Sequence, residues 1–274
     1  MNDTPANLRK VLDRCLREGG RILERGFGRK QRITKKSAVS IVTETDKAAE
    51  RHIISTIHQH FPAHGILAEE SSPIRRPGES RWIIDPLDGT TNFAHSIPLC
   101  CVSIGVERDG KVLLGGIYNP FLDEFFFAER GKGAYLNGKR ILVSKQSVLI
   151  DSLLVTGFPY DRQEKAAFYL KFFRAMMEKT QGLRRLGAAA LDLAYVACGR
   201  FEAFWEFNLK SWDIAAGSLL VEEAGGKVTD FRGKPLNLEV PAQLLASNSR
   251  VHPPLLKIFN INLGSPLDKK PFGC

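Results

Sequence analysis

Apolar positions at the start of the chain recur with the spacing of a helix. The positions that share this spacing are Leu8, Val11, Leu12, Cys15, Leu16, Ile22 and Leu23. Residues three and four apart lie on one helix face, so the pattern predicts an amphipathic helix over residues 5–27. Residues 45–60 predict a second helix, with Ile53, Ile54 and Ile57 on one face.

The middle of the chain changes to short apolar runs separated by turn residues. The strands that these runs predict cover residues 65–68, 82–84, 101–107, 111–118 and 124–128. The 82–84 strand is expected to end directly in Asp85. The last three of these strands are predicted to be antiparallel neighbours, and the Arg108-Asp109-Gly110 turn is predicted to join the first two of them. Asn137-Gly138 predicts a further tight turn.

From about residue 150 the pattern alternates between strands and helices. Strands are predicted at 153–157 and 201–206, and helices at 165–179, 188–198 and 213–224. Gly225-Gly226 supplies the stop for the last helix. Strands followed by alternating elements predict an α+β half over residues 1–145 and an α/β half over residues 146–274, joined as one compact two-part unit.

The composition is that of an ordinary globular chain. Of the 274 residues 43% are hydrophobic, yet no apolar stretch is long enough to span a bilayer, and the N-terminus lacks a signal peptide's apolar centre. The five cysteines include no CxxC pair, which favours reduced, buried thiols in a cytoplasmic protein. Cys100 and Cys101 are adjacent in a strand-like run and are predicted to point to opposite faces.

The formal net charge of +9 has a local origin. Basic residues crowd into one N-terminal stretch that contains Arg21, Arg25, Arg29, Lys30, Arg32, Lys35 and Lys36. A solvated helix face followed by a loop explains such a run, and attraction of an anionic substrate or partner is the second interpretation. The charge alone names no ligand. A nucleic-acid partner is not expected from it, and it is not ruled out either.

The segment DPLDGTTNF brings metal-binding groups together. The apolar strand before it delivers Asp85 with its backbone fixed, and Pro86 biases Asp85 toward an extended conformation. Asp88 can then curl back beside Asp85, with the carbonyl of Leu87 exposed between the two carboxylates. One short segment therefore offers three oxygen donors to a cation.

The same segment continues into groups that suit phosphate. Gly89 permits close approach of the backbone to a ligand. Thr90 can open a helix whose N–H groups point outward and bind an anion. The segment thus predicts a cation site next to a phosphate site.

Carboxylates held this close raise each other's pKa unless a cation compensates. Hard oxygen ligands with no nearby His or Cys cluster favour Mg²⁺ or Mn²⁺ over zinc. Asp85 and Asp88 could instead form turns and cap a helix. Glu69, after a predicted strand, and Asp213, at the start of a small-residue helix, lie in similar settings. Spacing alone does not separate a cap from a metal ligand at Asp213.

Four acidic segments together resemble the inositol monophosphatase family of Mg²⁺-dependent, lithium-sensitive phosphatases. They are VTETDKAAE with Asp46, LAEES with Glu69 and Glu70, WIIDPLDGTTNF with Asp85 and Asp88, and SWDIAAG with Asp213. The resemblance runs from about residue 35 to residue 230. It implies the layered αβαβα sandwich of the inositol monophosphatase and sugar phosphatase fold, and a homodimer.

The resemblance also implies a role for each residue. A first metal would be bound by Glu69, Asp85 and the carbonyl of Leu87, and a second by Asp85, Asp88 and Asp213. Some members use a third, weaker ion near Glu69. The hydroxyl of Thr90, hydrogen-bonded to Asp46, would orient and deprotonate the attacking water together with Glu69. Glu70 is expected behind the metal ligands.

Substrate contacts follow from the same resemblance. The backbone N–H groups of Gly89 and Thr90 would contact the phosphate, Glu206 would contact substrate hydroxyls and Ala189 the sugar or cyclitol. Asp88 is also expected among the substrate-binding residues. Two cations about 4 Å apart can clamp the attacking and leaving oxygens of an in-line displacement, so no protein nucleophile is needed.

The leading substrate is inositol 1-phosphate. Fructose 1,6-bisphosphate is the first alternative, and a phosphorylated nucleotide ranks third. Ala68 and Ala188 depart from residues common in the family, which bears on the substrate and not on the metal centre. A binding role on RNA or an acidic protein through the basic N-terminal stretch is the alternative from a different functional class.

Overall fold

The structure is a computed structural model, and the residues that it describes are 2–29, 32–37, 39–74 and 80–264. Lys30 of the basic stretch and Cys274 lie outside these ranges. No helix in the described part of the chain combines the length and the apolar character needed to cross a membrane.

Two helices and a hairpin open the chain. They are α1 (Pro5–Gly26), β1 (Ile33–Lys35), β2 (Ile41–Thr43) and α2 (Glu44–His60). Both helices match their predicted bounds to within a residue. Thr43 begins α2, because the Asp46 carboxylate accepts a hydrogen bond from the Thr43 backbone N–H at 2.9 Å and the Thr43 hydroxyl faces the Asp46 N–H. This capping box holds Asp46 in the interior.

Seven strands of the first half form one sheet whose order follows the chain. They are β3 (Gly65–Ala68), β4 (Ser80–Asp88), β5 (Cys101–Arg108), β6 (Lys111–Asn119), β7 (Glu124–Glu129), β8 (Gly133–Leu136) and β9 (Lys139–Ile141). β3 and β4 are parallel, and the other pairs are antiparallel, as predicted for β5, β6 and β7. Asn137 and Gly138 form the β8–β9 turn, both with positive φ.

The expectation that the strand ends directly in Asp85 is wrong. β4 continues to Asp88, because Asp85 pairs with Ser103 and Asp88 pairs with Cys101 across a bulge. The step from Asp85 to Asp88 spans three residues on β4, and the paired step on β5 spans two. The extra residue on β4 changes the direction of the side chains at this end of the strand.

The second half forms a five-stranded sheet. Its strands are β10 (Leu153–Thr156), β11 (Gly182–Arg184), β12 (Ala203–Leu209), β13 (Lys227–Thr229) and β14 (Ala242–Ser247), in the order β11-β10-β12-β14-β13. β10 runs parallel to both β11 and β12. The helices are α3 (Thr90–Ala94), α4 (Arg162–Met177), α5 (Ala189–Ala197), α6 (Ser211–Glu223) and α7 (His252–Leu263).

Three hydrophobic layers hold these elements together. α1 and α2 cover one face of the seven-stranded sheet, α5 and α6 lie between the two sheets, and α4 and α7 cover the far face of the five-stranded sheet. The order of layers is αβαβα, as predicted. Cys100 lies in the first layer and Cys101 in the second, which confirms that they face opposite sides. That residues 1–145 and 146–274 are two halves of one unit stays a prediction.

The helix α6 lies unusually close to the seven-stranded sheet. A Cβ added to Gly115 would lie 2.9 Å from the Ala216 carbonyl oxygen, and one added to Gly105 would lie 3.0 Å from the Cβ of Ala215. Small residues on both elements permit this approach. It brings the first turn of α6, with Asp213, to the sheet that carries Asp85.

Candidate active site

Asp88 connects the two halves of the chain. Its carboxylate accepts a hydrogen bond from the backbone N–H of Ala190 at 2.7 Å, and Ala189 and Gly89 also donate to it. Ala190 lies in the first turn of α5, whose free N–H groups attract a negative charge. The bulge in β4 therefore places Asp88 at the start of a helix from the other half of the chain.

Asp85 and Leu87 lie on the same bend. The Asp85 carboxylate accepts a hydrogen bond from the Leu87 backbone N–H at 3.0 Å, which folds the segment back on itself. The Leu87 carbonyl lies 3.0 Å from the Thr90 hydroxyl. The predicted curl of Asp88 beside Asp85 is present, and the carbonyl between them points toward Thr90.

Thr90 and Asp46 meet at the base of the site. The Thr90 hydroxyl lies 2.9 Å from Asp46 Oδ1, so the hydrogen bond predicted between them is present. Burial raises the pKa of Asp46, although hydrogen bonds from Thr43 and Thr90 oppose the shift. One carboxylate thus serves as the cap of α2 and as a partner of the site hydroxyl. The catalytic role of the pair stays a prediction.

Glu69 and Glu70 face Lys36, a lysine of the basic N-terminal stretch. Lys36 Nζ lies 2.9 Å from Glu69 Oε1 and also pairs with Glu70. The Glu50 carboxylate accepts the backbone N–H of Glu70 at 2.8 Å, which holds the acidic pair in place. Lys36 follows β1 directly, so the β1–β2 hairpin closes over this edge of the site. No sequence motif marked Lys36.

Asp213 caps α6 and faces the same centre. Its carboxylate accepts a hydrogen bond from the Lys210 backbone N–H at 2.6 Å. Burial raises the pKa of Asp213 well above its usual value, and the charges of Glu69 and Asp88 add to the shift. Asp213 therefore caps α6 and also contributes to the acidic centre.

All four carboxylates interact with one another. Burial raises the pKa of Asp85 well above its usual value, followed by the charges of Glu69, Asp88 and Asp213. Burial also raises the pKa of Asp88 to about 7, and the charge of Glu69 adds to it while the Ala190 N–H opposes it. Groups that are far apart in the chain thus share one buried, strongly electronegative pocket.

The chemistry of this pocket suits a cation that prefers oxygen. In the described part of the chain, no three or more His, Cys, Asp or Glu side chains already stand in an arrangement that could hold a metal ion. The Lys36 ammonium engages Glu69, and a backbone N–H engages Asp213. The donors are nevertheless all hard oxygens, and a dication would offset both the burial and the mutual repulsion that raise the pKa values of Asp85, Asp88 and Asp213. The residues fit such an ion once Glu69 leaves Lys36.

Glu206 lies beside the acidic centre on β12. Burial raises the pKa of Glu206 to about 8, a shift that the positive charges of Arg185 and Arg162 oppose and the charge of Asp88 reinforces. A Cβ on Gly157 would lie 2.0 Å from Glu206 Oε2, so only glycine leaves room for this carboxylate. Ala189 begins α5 next to Asp88, so both predicted sugar contacts lie on this side.

Asp192 and Tyr160 extend the site beyond the predicted residues. Asp192 is fully buried in α5, its Oδ1 has no hydrogen-bond partner, and burial and the charge of Glu206 raise its pKa well above the usual range. The Tyr160 hydroxyl bonds with Ser40, and burial raises its pKa to about 12 with a contribution from Glu69. The Tyr160–Ser40 hydrogen bond thus joins the GFPYD segment to the loop between β1 and β2.

A model of the inositol monophosphatase family matches residues 5–262. The chain belongs to the inositol monophosphatase family. It is therefore a phosphatase, and the resemblance drawn from its acidic motifs is confirmed. The match covers both halves of the chain, including every residue that forms the acidic pocket.

Two curated relatives carry different names. The chain is 43% identical over 263 residues to Nus factor SuhB of Pseudomonas aeruginosa, covering 93% of this chain and 97% of that protein. It is 42% identical over 253 residues to an inositol-1-monophosphatase of Mesorhizobium japonicum, covering 91% and 95%.

Solved structures share the fold. The extragenic suppressor protein suhB from Bartonella henselae superimposes with a TM-score of 0.88 at 41% identity, covering 92% of this chain and 98% of that one. An IMPase/NADP phosphatase complexed with Mg²⁺ and phosphate has a TM-score of 0.80 at 26% identity, covering 92% and 94%. These neighbours confirm the predicted layered sandwich.

Proposed function

We propose that this chain hydrolyses inositol 1-phosphate to inositol and phosphate in a magnesium-dependent reaction. The observation that carries the proposal is the convergence of Glu69, Asp85, Asp88 and Asp213, whose charges interact in every pairwise combination. A related phosphatase structure contains Mg²⁺ and phosphate, which supports this choice of ion. Fructose 1,6-bisphosphate is the second substrate that we propose.

Two or three Mg²⁺ ions, or Mn²⁺ in their place, would be held by the four carboxylates and the Leu87 carbonyl. When bound, they supply a water of lowered pKa and neutralise charge on the leaving oxygen. The chain's own residues then orient the reactants. The N–H groups of Gly89 and Thr90 would keep the phosphate in line for attack.

Thr90 and Asp46 would hold the proton of the attacking water. The Thr90 hydroxyl is 2.9 Å from Asp46, and the buried Asp46 has a raised pKa that suits it to accept a proton. The N–H groups of Gly89 and Thr90 precede or open α3 and face the phosphate in this proposal. Glu206 and Ala189 would contact the hydroxyl-bearing side of the alcohol.

The test is phosphate release from inositol 1-phosphate with Mg²⁺, before and after chelation, in the wild type and in Asp88→Asn. We expect chelation of Mg²⁺ and the Asp88→Asn substitution each to abolish turnover. Asp13→Asn is the matched control, because Asp13 is a partly exposed aspartate that pairs with Arg17 on α1, outside the acidic centre. Full activity in the chelator, or in Asp88→Asn, would refute the proposed metal chemistry.

We also propose a homodimeric, lithium-sensitive, cytoplasmic enzyme. Cys15, Cys100, Cys101 and Cys198 are free thiols in the described residues, as a reducing compartment requires. Light scattering of the purified chain and inhibition by lithium at millimolar concentration test the first two properties.

A regulatory role is a second candidate, favoured by the similarity to the Pseudomonas aeruginosa Nus factor SuhB. The basic stretch of α1 and the following hairpin would then contact RNA or an acidic protein. Binding of a labelled RNA that weakens steeply with salt and survives Asp88→Asn would support this role. Absence of binding at low salt would remove it.

A further inference from the structure

One buried side chain of the first half, that of Asn92, is bonded to the backbone of both halves of the chain. Asn92 lies in the short helix α3 and is 6% exposed. Its side-chain nitrogen Nδ2 lies 2.7 Å from the Leu99 carbonyl oxygen and 2.8 Å from the Leu186 carbonyl oxygen. An amide nitrogen carries two hydrogens, so each carbonyl accepts one of them. The proposed reaction gives Asn92 no role of its own.

Two glycines let the segments that Asn92 joins approach each other closely. A Cβ added to Gly89 would lie 2.8 Å from the Leu99 carbonyl oxygen and 3.2 Å from the Cβ of Ala188. Gly187 has a φ of +92°, and a Cβ there would lie 3.2 Å from Asn92 Nδ2. The turn after β4 therefore packs directly against the segment before α5, and Asn92 supplies the hydrogen bonds across this contact.

The segment that Asn92 holds leads directly into the first turn of α5. Leu186 lies just before this turn, and the backbone N–H of Ala190 within it donates to the Asp88 carboxylate at 2.7 Å. Asp88 is one of the carboxylates expected to bind the metal, and it lies just before Asn92 in the chain. Two contacts, Asp88 with Ala190 and Asn92 with Leu186, therefore fix the start of α5 against the turn that carries the metal ligand.

We propose that Asn92 is a positioning residue of the acidic pocket, which holds the first turn of α5 in the place from which Ala190 orients the Asp88 carboxylate. The inference rests on the proposed metal-dependent function. Groups that orient a metal ligand by hydrogen bonds contribute about 10- to 100-fold to the affinity for the metal. A carboxylate that is already held in one direction loses less freedom when it binds a cation. Loss of the Asn92 amide should therefore weaken Mg²⁺ binding more than it slows the chemical step.

Asn248 is a matched control outside the pocket. It is 2% exposed, and its Nδ2 donates to the Gln146 carbonyl at 2.7 Å, so it also joins two distant segments through one side-chain amide. Asn248 follows β14 at the end where that strand pairs with the start of β12, whereas Glu206 of the pocket lies further along β12. Asn248→Ala removes the same amide from a similarly buried place that is not in contact with the Asp88 turn.

The experiment measures Mg²⁺ affinity by titration calorimetry, and phosphate release from inositol 1-phosphate against Mg²⁺ concentration, in the full chain. The variants are Asn92→Ala, Asn248→Ala and the milder Asn92→Ser, which keeps one hydroxyl donor and decides the question in place of an alanine variant that does not fold. We expect Asn92→Ala to bind Mg²⁺ about 10-fold more weakly, with kcat at saturating Mg²⁺ within about threefold of the wild type, and Asn92→Ser to lie between the two. Asn248→Ala should lower stability and leave Mg²⁺ affinity unchanged. An unchanged Mg²⁺ affinity in the Asn92 variants, or an equal loss in Asn248→Ala, overturns the positioning role.

Hydrogen exchange separates failure of the positioning role from failure of the proposed function. In metal-free protein, mass spectrometry follows the amides in the first turn of α5, which include the Ala190 N–H that is bonded to Asp88. We expect these amides to exchange at least about tenfold faster in Asn92→Ala than in the wild type or in Asn248→Ala, because local opening of this turn becomes easier. Equal exchange rates refute the positioning role even in an active enzyme. A wild type that binds no Mg²⁺, together with faster exchange in Asn92→Ala, refutes the proposed metal chemistry alone.

Discussion

The two sides of the pocket are built on opposite electrostatic plans. On the metal side, buried carboxylates from both halves of the chain raise one another's pKa, and within the described residues one lysine, Lys36, pairs with Glu69. On the alcohol side, Glu206 interacts with Arg185 and Arg162, which form no salt bridge within the part of the chain that the structure describes. The metal side is therefore prepared for a cation, and the alcohol side for hydroxyls. Substitutions on the metal side should therefore lower turnover for every substrate, whereas substitutions on the alcohol side should mainly change KM.

The largest expected effect comes from removing one charge on the metal side. In Asp85→Asn and Asp213→Asn we expect turnover to fall at least about 1000-fold on every substrate, because metal and phosphate charge stabilisation dominates phosphoryl transfer. Phosphate release is the measurement. Without metal these variants should unfold at the same or a higher temperature, since each loses a repelling charge. A variant that keeps turnover would remove that residue from the centre.

Thr90→Val removes the hydroxyl beside Asp46 and keeps the shape of the side chain. We expect kcat to fall about 100-fold for inositol 1-phosphate, because proton transfer by positioned groups contributes about this much. The loss should be similar for every substrate, as expected of the metal side. Thr91→Val is the control, since Thr91 is exposed on the same short helix. Equal kcat values for the two variants would contradict the role of Thr90.

Gly157→Ala tests the alcohol side. The new Cβ would lie 2.0 Å from Glu206 Oε2, so the carboxylate must move. We expect KM for inositol 1-phosphate to rise about tenfold, as for one lost hydrogen bond to a charged group, with a smaller change in kcat. Gly182→Ala is the control, because its Cβ would approach no atom closer than 3.4 Å. A fall in kcat without a change in KM would contradict the assignment of Gly157 to the alcohol side of the pocket.

The smallest expected effect is on the way in which the free energy of unfolding changes with pH. The pKa of Asp88 is raised to about 7 in the folded chain, so the folded state holds more protons than the unfolded state between about pH 4 and pH 7. In metal-free protein, the free energy of unfolding should therefore fall as the pH rises through this range. Mg²⁺ should reverse the trend by favouring the ionised carboxylates. Urea unfolding at pH 5 and pH 7, with and without Mg²⁺, measures both, and metal-free stability that rises with pH would contradict the carboxylate cluster.

Local patterns predicted the elements well. The helical spacing of Leu8 to Leu23 predicted α1 to within a residue, and the turn residues predicted the β5–β6 and β8–β9 hairpins. The strand end at Asp85 was predicted wrongly, because pairing with Ser103 and Cys101 on β5 extends β4 through a bulge. Strand pairing is a contact with a distant segment, and propensity along the chain carries no record of it.

The sequence by itself determined the family, the layered fold and the acidic motifs, because motif residues and periodicity are local properties of the chain. Only the tertiary structure decided that Lys36 pairs with Glu69, that Asp88 caps a helix of the other half, and that two arginines interact with Glu206. These are long-range contacts. They form because strand pairing and close helix packing at Gly105 and Gly115 bring separate segments to one place, and the resulting burial shifts the pKa values of their carboxylates.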